Sequence, residues 1–301
     1  MCRRALKYFT LLAVAIPVVA TGQNTQPQAR LSAAEIVDRN VAARGGQQAW
    51  QSVQSMTMSG KMEAGGNRRA ALPTQNPQDP QAASLARPVE QAQLPFVMEL
   101  KRPKKMRVEL QYKGQTAIQV FDGANGWMLR PFLNRMDVEP YTEEETKTAS
   151  FQSELDGPLV NYAAKGTKVE LAGMEKVDDN DTFKLKLTTK EGHVFHVWID
   201  ATTFLEAKIE GTPRRLDGRY HPVEIYYRDY RPIGSLKIPY VLETKVLSTP
   251  SGGGGRGMDV ATEKIIFEKV ELNSRLNDLL FTRAQLDTVA GVRSPRAVPA
   301  K

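Results

Sequence analysis

Two histidines three positions apart, His193 and His196, are the first candidates for metal chemistry in the sequence. Imidazole nitrogens are ligands that zinc, copper and iron accept. The surrounding residues predict a strand, and residues three apart on a strand point to opposite faces of the sheet. The two rings therefore cannot share an ion. His221, which precedes Pro222 in a predicted loop, has no evident partner, so we expect no metal site.

Two acidic clusters could also do chemistry. Asp178, Asp179 and Asp181 resemble part of a calcium loop, but the glycine at its sixth position and the closing glutamate are missing. A hairpin turn is the favoured interpretation. Glu143–Glu145 are interpreted as the first turn of a helix, where carboxylates interact favourably with the helix dipole, and not as a catalytic cluster.

The motifs of common enzymes are missing. The sequence has no G-x-S-x-G elbow and no evident trio of serine, histidine and aspartate. The glycine-rich residues 252–255 lack the Lys-Ser/Thr pair that binds nucleotide phosphates, so they are interpreted as a linker. We therefore expect no catalytic residue, no cofactor and no enzymatic activity. An enzyme with an unrecognised site is the least favoured hypothesis.

The densest positive charge lies at Lys101, Arg102, Lys104, Lys105 and Arg107. No aromatic residues interleave with this cluster to stack on bases, so we expect no nucleic-acid partner. A solvated turn is the first interpretation. Contact with anionic lipid or with an acidic partner surface is the sharper alternative.

Residues 1–22 have the three parts of a cleaved secretory signal peptide: a basic start, an apolar run and small residues at the end. The apolar run, from Tyr8 to Ala20, is too short for a membrane-spanning helix. The leader holds Cys2, the only cysteine, and three of the 41 basic residues, so 38 remain against 34 acidic ones. No later segment has 18 uninterrupted apolar residues. The sequence thus predicts a soluble periplasmic protein with no membrane span.

Composition divides the rest of the chain into a polar tether at 23–30, a single domain at 31–287 and a disordered tail at 288–301. Ser32 and Glu35 have the spacing of a capping box, which predicts a helix at the start of the domain. Half of residues 65–94 are Pro, Gln or Ala. Such a composition buries too little apolar surface to fold, so we expect a flexible insertion between two strands.

Alternation of apolar and polar residues predicts about ten strands in meander order. Met106, Val108 and Leu110, for example, form one face of a predicted strand. Helices are predicted at the start of the domain and from Thr142 to about Leu155. Together these elements predict an α+β fold with a single antiparallel sheet, curled into an incomplete (half) β-barrel whose concave face is covered by helices.

At least five of the nine methionines after the initiator fall on the early strands: Met56, Met58, Met62, Met98 and Met106. Methionine is flexible and polarizable, so it suits a surface that adapts to variable apolar ligands. Ordinary filling of the core is the other interpretation.

A spaced series of residues in this region resembles the LolA-like periplasmic lipoprotein carriers, the outer-membrane lipoprotein-sorting proteins. The series consists of Lys101, Arg102 and Pro103, then Asp122 and Gly123, then Trp127, and finally Pro131 and Phe132. The order of the predicted elements extends the resemblance over roughly residues 31–283.

The resemblance implies an apolar cavity that holds acyl chains while they pass between membrane-bound donor and acceptor proteins. It also implies that Arg102 hydrogen-bonds the covering helices and acts as the latch of a lid. The candidates for the cavity wall are Met98, Met106, Val108, Leu110 and Trp127. Met106 stands where relatives often have an aromatic residue.

The resulting hypothesis is an exported carrier, or chaperone, of lipid or lipoprotein acyl chains in outer-membrane biogenesis. The alternative is a non-catalytic secreted or periplasmic interaction module, which reuses the fold with a filled core.

Overall fold

The structure is a computed structural model that describes residues 31–64, 92–131, 135–216, 218–247 and 259–291. The predicted leader and tether, most of the insertion, Phe132, the glycine-rich linker and the last ten residues of the tail lie outside these ranges. The described residues from Ser32 onward belong to one compact unit.

The described helices are short: α1 (Ala33–Ala43), α2 (Gln47–Ser52), α3 (Glu143–Gln152), α4 (Arg283–Val289) and a 3₁₀ helix (Asp278–Phe281). The predicted capping box is confirmed, because the Glu35 amide donates to the Ser32 hydroxyl and the Ser32 amide donates to the Glu35 carboxylate. Thr142 and Glu145 form a second capping box at α3. The helical interpretation of Glu143–Glu145 is therefore also confirmed.

The described strands form one antiparallel sheet, which confirms that part of the predicted fold. The strands are β1 (Ser55–Ala64), β2 (Ala92–Lys101), β3 (Lys105–Tyr112), β4 (Gln115–Phe121), β5 (Gly126–Arg130), β6 (Arg135–Pro140), β7 (Lys168–Val177), β8 (Asn180–Thr188), β9 (Val194–Asp200), β10 (Glu206–Leu216), β11 (Arg219–Ile233), β12 (Leu236–Leu247) and β13 (Asp259–Leu272). Their order is β6-β5-β4-β3-β2-β1-β13-β12-β11-β10-β9-β8-β7. The sheet is open, with β6 and β7 at its two edges.

Two boundaries differ from the prediction. β2 begins at Ala92, so the last three residues assigned to the insertion belong to a strand. α4 continues to Val289, so the predicted tail begins inside a helix. In both places a short regular element adjoins a polar segment, and composition alone does not show where the change occurs.

One face of the sheet, called the apolar face below, is defined by Met56 and Met58 of β1, Phe96 and Leu100 of β2, and Met106 of β3. Trp50 of α2 and Ala149 of α3 pack in the same cluster. So do Leu155 and Val160 of the turn segment, residues 153–166, which follows α3 on the way from edge strand β6 to edge strand β7. The core therefore lies between the apolar face and these segments.

A second, smaller cluster lies on the opposite face of the sheet. Ile118, Val120 and Leu129 of β4 and β5 pack there against Phe281 and Leu286 of the C-terminal helices. All of these side chains are at most 2% exposed. The C-terminal helices therefore cover β4 and β5 on the face of the sheet opposite to the apolar face.

The turn between α1 and α2 approaches the sheet so closely that only glycine fits at Gly45. A Cβ there would lie 2.3 Å from the Ser235 carbonyl oxygen, and the φ angle is +115°. Gly46 also has a positive φ, +92°, but a Cβ there would meet nothing within 4 Å. We expect Gly45→Ala to lower the free energy of unfolding by more than about 2 kcal/mol and Gly46→Ala by about 1 kcal/mol. Urea unfolding of both variants measures the difference, and equal losses would contradict the close approach.

Candidate functional site

Arg102, the first residue after β2, connects the sheet to α2 and to the turn segment, two of the segments that pack on its apolar face. Its Nε donates to the Val53 carbonyl oxygen at 2.8 Å, and its Nη2 donates to the Trp50 carbonyl oxygen at 3.1 Å. The same Nη2 lies 2.9 Å from Oδ2 of Asp156, in the turn segment. One guanidinium group thus holds the end of α2 and the turn segment at the same place.

Asp156 is a buried carboxylate with two cationic partners. Besides Arg102, the Lys165 ammonium donates to its Oδ1 at 2.7 Å. Burial by itself raises the pKa of Asp156, but the hydrogen bonds and charges of Lys165 and Arg102 outweigh burial and hold the pKa below its usual range. Asp156 is therefore ionised at neutral pH.

Arg44, which follows α1, forms a second ionic contact beside the first. Its Nη1 lies 2.9 Å from Oε1 of Glu206 on β10 and donates to the Asp156 carbonyl oxygen at 3.1 Å. The guanidinium also stacks over the Trp50 ring, 4.4 Å from its centroid. Arg44, Arg102, Asp156, Lys165 and Glu206 are together called the polar clasp below.

The two halves of the polar clasp differ in burial. The side chains of Arg44 and Glu206 are 9% and 8% exposed, whereas those of Arg102 and Lys165 are 27% and 24% exposed. Separating a desolvated ion pair leaves its charges buried and unpaired, which is costly. The Arg44–Glu206 pair is therefore harder to separate than the Arg102–Asp156 pair.

Two tyrosines complete the Glu206 end of the clasp. The Tyr230 hydroxyl donates to Oε2 of Glu206 at 3.0 Å. Burial raises the pKa of Tyr230 and of the neighbouring Tyr227, and the charge of Glu206 raises both further. The hydroxyls therefore stay protonated, and Tyr230 remains a donor to the carboxylate.

Sequence reasoning identified only Arg102 among the clasp residues. Arg44, Asp156, Lys165 and Glu206 come from separate elements, and no local spacing relates them. The one available signal was the Gly45-Gly46 pair, which marks a tight turn directly after Arg44 but does not indicate its partner.

Four of the five predicted wall residues lie together on the apolar face. Met98 is directly opposite Val108, Leu110 is opposite Phe96, and Met106 is opposite Leu100. Trp127 is not with them, since it pairs with Val120 in the cluster under the C-terminal helices. Trp127 shares the face of its partner Val120 on β4, and the Val120 side chain lies on the face of the sheet opposite to the apolar face.

Half-buried apolar side chains continue across the apolar face beyond its closed core. They form one group, called the apolar row, that spans the five adjacent strands β3, β2, β1, β13 and β12: Leu110, Val108, Met98, Met62, Ile265 and Leu242. Met62 is opposite Ile265, which in turn is opposite Leu242. This contiguous, half-buried apolar group is the candidate wall of a ligand-binding site.

The basic cluster around Arg102 is not a free cationic surface, because each of its cations has an acidic partner in the same chain. The pairs are Lys101 and Lys105 with Asp278, Lys104 with Glu154, Arg107 with Glu109, and Arg102 with Asp156. The interpretation as a solvated turn is wrong for Arg107, which is 4% exposed. These charges hold the turn segment and the C-terminal 3₁₀ helix against the sheet.

The other described residues of the motif lie between strands. Pro103 is in the β2–β3 turn, and Pro131 directly follows β5. Asp122 and Gly123 form the β4–β5 turn, in which the Asp122 carboxylate accepts from the amides of Ala124 and Asn125. These residues shape the connections that place Arg102 and Trp127.

The histidines and the acidic turn have structural contacts. His196 Nδ1 lies 2.8 Å from Oε2 of Glu210, and His221 Nδ1 lies 3.0 Å from the Leu247 carbonyl oxygen. Asp178 is in the predicted hairpin turn between β7 and β8, with a φ of +53°. In the part of the chain that the structure describes, no three potential metal ligands converge. Nor does any helix there have the length and apolar character to cross a membrane.

Among known proteins, this chain is similar in architecture to solved structures at low sequence identity. No family model and no curated protein matches the chain. Among solved structures, a LolA superfamily protein from Nitrosomonas europaea matches with a TM-score of 0.52 and 14% identity, over 85% of this chain and 99% of that one. A putative outer membrane lipoprotein-sorting protein domain from Vibrio parahaemolyticus gives a TM-score of 0.49 and 12% identity, over 84% and 97%. At 14% identity, the first of these matches establishes the fold alone: the chain has the fold of that LolA superfamily protein, as the Lys101–Phe132 series predicted.

Proposed function

We propose that this protein is an exported, soluble periplasmic carrier that binds the acyl chains of lipids or lipoproteins on its apolar face. The apolar row is the observation that carries the proposal. Acyl chains gain about 0.8 kcal/mol for each methylene removed from water, so they bind to apolar area and need few polar contacts. The LolA-superfamily fold supports the same conclusion. Membrane-bound donor and acceptor proteins are the partners that such a carrier needs.

In this proposal the sheet is a half-barrel, and α2, α3 and the turn segment form the lid over its concave, apolar face. Arg102 is the latch of this lid. Its salt bridge to Asp156 reaches solvent and can be broken at modest cost, which removes one of the contacts that hold the turn segment. The buried Arg44–Glu206 pair holds α1 and α2 in place, so opening occurs on the Arg102 side.

Removal of the latch tests the proposal. We expect Arg102→Met to speed the uptake of a fluorescent fatty acyl probe by about tenfold or more, because charge-assisted hydrogen bonds that hold the closed state contribute about 1.5–3 kcal/mol. Arg102→Lys keeps the charge but not the fork of donors, so it is expected to give an intermediate rate. Stopped-flow fluorescence measures both, with Arg219→Met, at an exposed arginine on β11, as the control.

Equal uptake rates in the wild type and Arg102→Met would show that Arg102 is not a latch. Native mass spectrometry of the protein from its own compartment tests the carrier itself. If no lipid co-purifies and no variant takes up the probe, the carrier proposal is wrong and the interaction module takes its place.

A further inference from the structure

Two buried hydrogen-bond donors in the cluster on the apolar face have no acceptor among the described residues. They are the indole Nε1 of Trp50, a side chain 2% exposed, and the hydroxyl of Tyr141. An unpaired donor in an apolar interior is costly, so native structures keep few of them without a reason. Both side chains belong to the cluster against which the apolar row, the proposed acyl-binding surface, packs.

The position of the Tyr141 hydroxyl is fixed by the backbone beneath the ring. Tyr141 follows β6, and its amide donates to the Gly126 carbonyl oxygen at 2.9 Å. The ring lies flat against Gly126, where a Cβ would be 1.8 Å from the nearest ring carbon. Gly126 is opposite Phe121, and Phe121 is opposite Met106. The hydroxyl is therefore held at one margin of the apolar face.

The Trp50 indole is held just as firmly, by the polar clasp. Arg44 stacks on its ring, and Arg102 donates to its carbonyl oxygen. An indole nitrogen is a donor only, so the group that pairs with it must be an acceptor.

The local charge disfavours an anion at Tyr141. Burial raises the pKa of Tyr141, and the carboxylate of Glu145 raises it further. The hydroxyl therefore stays protonated and available as a donor. The same carboxylate repels a negatively charged ligand group and leaves an uncharged acceptor unaffected.

Two other unpartnered buried atoms nearby need no ligand. Arg44 Nε is a donor, and Asn40 Oδ1, one helical turn before it on α1, is an acceptor. One bound water can satisfy both. Trp50 and Tyr141 differ from this pair because both offer a donor inside an apolar cluster.

We propose that Trp50 and Tyr141 donate to uncharged carbonyl oxygens at the polar end of the acyl ligand, so that the protein selects acyl esters and amides over free fatty acids. The inference rests on the proposed carrier function and specifies its ligand class. The apolar row binds the acyl chain of the ligand. The two donors recognise the ester or amide carbonyl that joins this acyl chain to the rest of the ligand.

Three probes with the same pyrene-labelled twelve-carbon chain test the inference: the methyl ester, the free acid at pH 8, and the hydrocarbon without a carbonyl. We expect the wild type to bind the ester about tenfold more tightly than either of the others. Tyr141→Phe is expected to weaken ester binding about fivefold and to leave hydrocarbon binding unchanged. Tyr220→Phe, at a tyrosine that is 56% exposed and lies outside the cluster, is the control and should change neither.

A second measurement needs no ligand. If the Tyr141 hydroxyl has no partner in the free protein, Tyr141→Phe will unfold at the same urea concentration as the wild type or a higher one. A clear loss of stability would show an existing hydrogen bond and overturn the inference. Equal binding of all three probes, or ester binding insensitive to Tyr141→Phe, would overturn this inference alone. If none of the probes binds, the carrier proposal fails as well.

Discussion

Glu206→Gln is expected to lower the free energy of unfolding by about 3 kcal/mol or more. The substitution keeps the shape of the side chain but leaves Arg44, whose side chain is 9% exposed, without its counter-ion. It also replaces one of the two carboxylate oxygens near the Tyr230 hydroxyl by an NH₂ group, which donates and cannot accept a hydrogen bond. A buried charge that loses its partner keeps its full desolvation cost, which is why the loss is large. Urea unfolding at pH 7 measures it.

An exposed pair of the same chemistry provides the control. Glu263 accepts from Arg214 at 2.7 and 2.9 Å, and these side chains are 35% and 43% exposed. Glu263→Gln is therefore expected to cost no more than about 1 kcal/mol. The double variant Arg44→Met/Glu206→Gln should lose less than the sum of the two single variants, because the unpaired charge is gone. Additive losses would contradict a direct ion pair.

Asp156→Asn is the second substitution with a large expected effect. It removes the carboxylate that joins Arg102 to Lys165, and we expect a loss of about 2–3 kcal/mol in unfolding free energy. The loss is smaller than for Glu206 because both cations are partly exposed and regain water. Asp278→Asn is the matched control, since Asp278 also has two cationic partners, Lys101 and Lys105, but its side chain is 62% exposed. Its cost should stay below about 1 kcal/mol.

The effect of Asp156 has a defined pH dependence. Its pKa is lower in the folded protein than the usual 3.8, so ionised Asp156 stabilises the fold at every pH above that value. The contribution disappears as the pH falls through the folded-state pKa. The stability gap between the wild type and Asp156→Asn should therefore be constant near neutral pH and narrow below about pH 4. A gap that widens on acidification would show that the pKa of Asp156 is raised instead.

Local patterns were sufficient to predict much of the fold. The predicted capping box of Ser32 and Glu35 acts within four residues, and the alternation along β3 shows its two faces directly. The edge strands β6 and β7 were missed because they bury few side chains, and a register shift at Gly173 breaks the alternation of β7. The C-terminal helix α4 has only seven residues and gave no recognisable periodicity.

The candidate site was less predictable than the fold. Arg102 was found through its resemblance to a family motif, whereas its partner Asp156 is 54 residues away and has no motif of its own. The basic residues next to Arg102 suggested an outward-facing surface. Their partners Asp278 and Glu154 are distant in sequence, so only the folded chain shows that these charges are already paired. Pattern analysis detects periodicity within an element, but pairings of charges between elements depend on the tertiary structure.

The central position of β1 has a consequence for the order in which the molecule assembles. β1 pairs on one side with β2, which follows it in sequence, and on the other side with β13, about 200 residues later. A chain that emerges from its N-terminus can build β1–β6 early, yet the middle of the sheet keeps an unpaired hydrogen-bonding edge until β13 arrives. Such distant pairing slows folding, and an open strand edge invites aggregation in the meantime. The protein is therefore most prone to aggregation during the part of folding that precedes the pairing of β13 with β1.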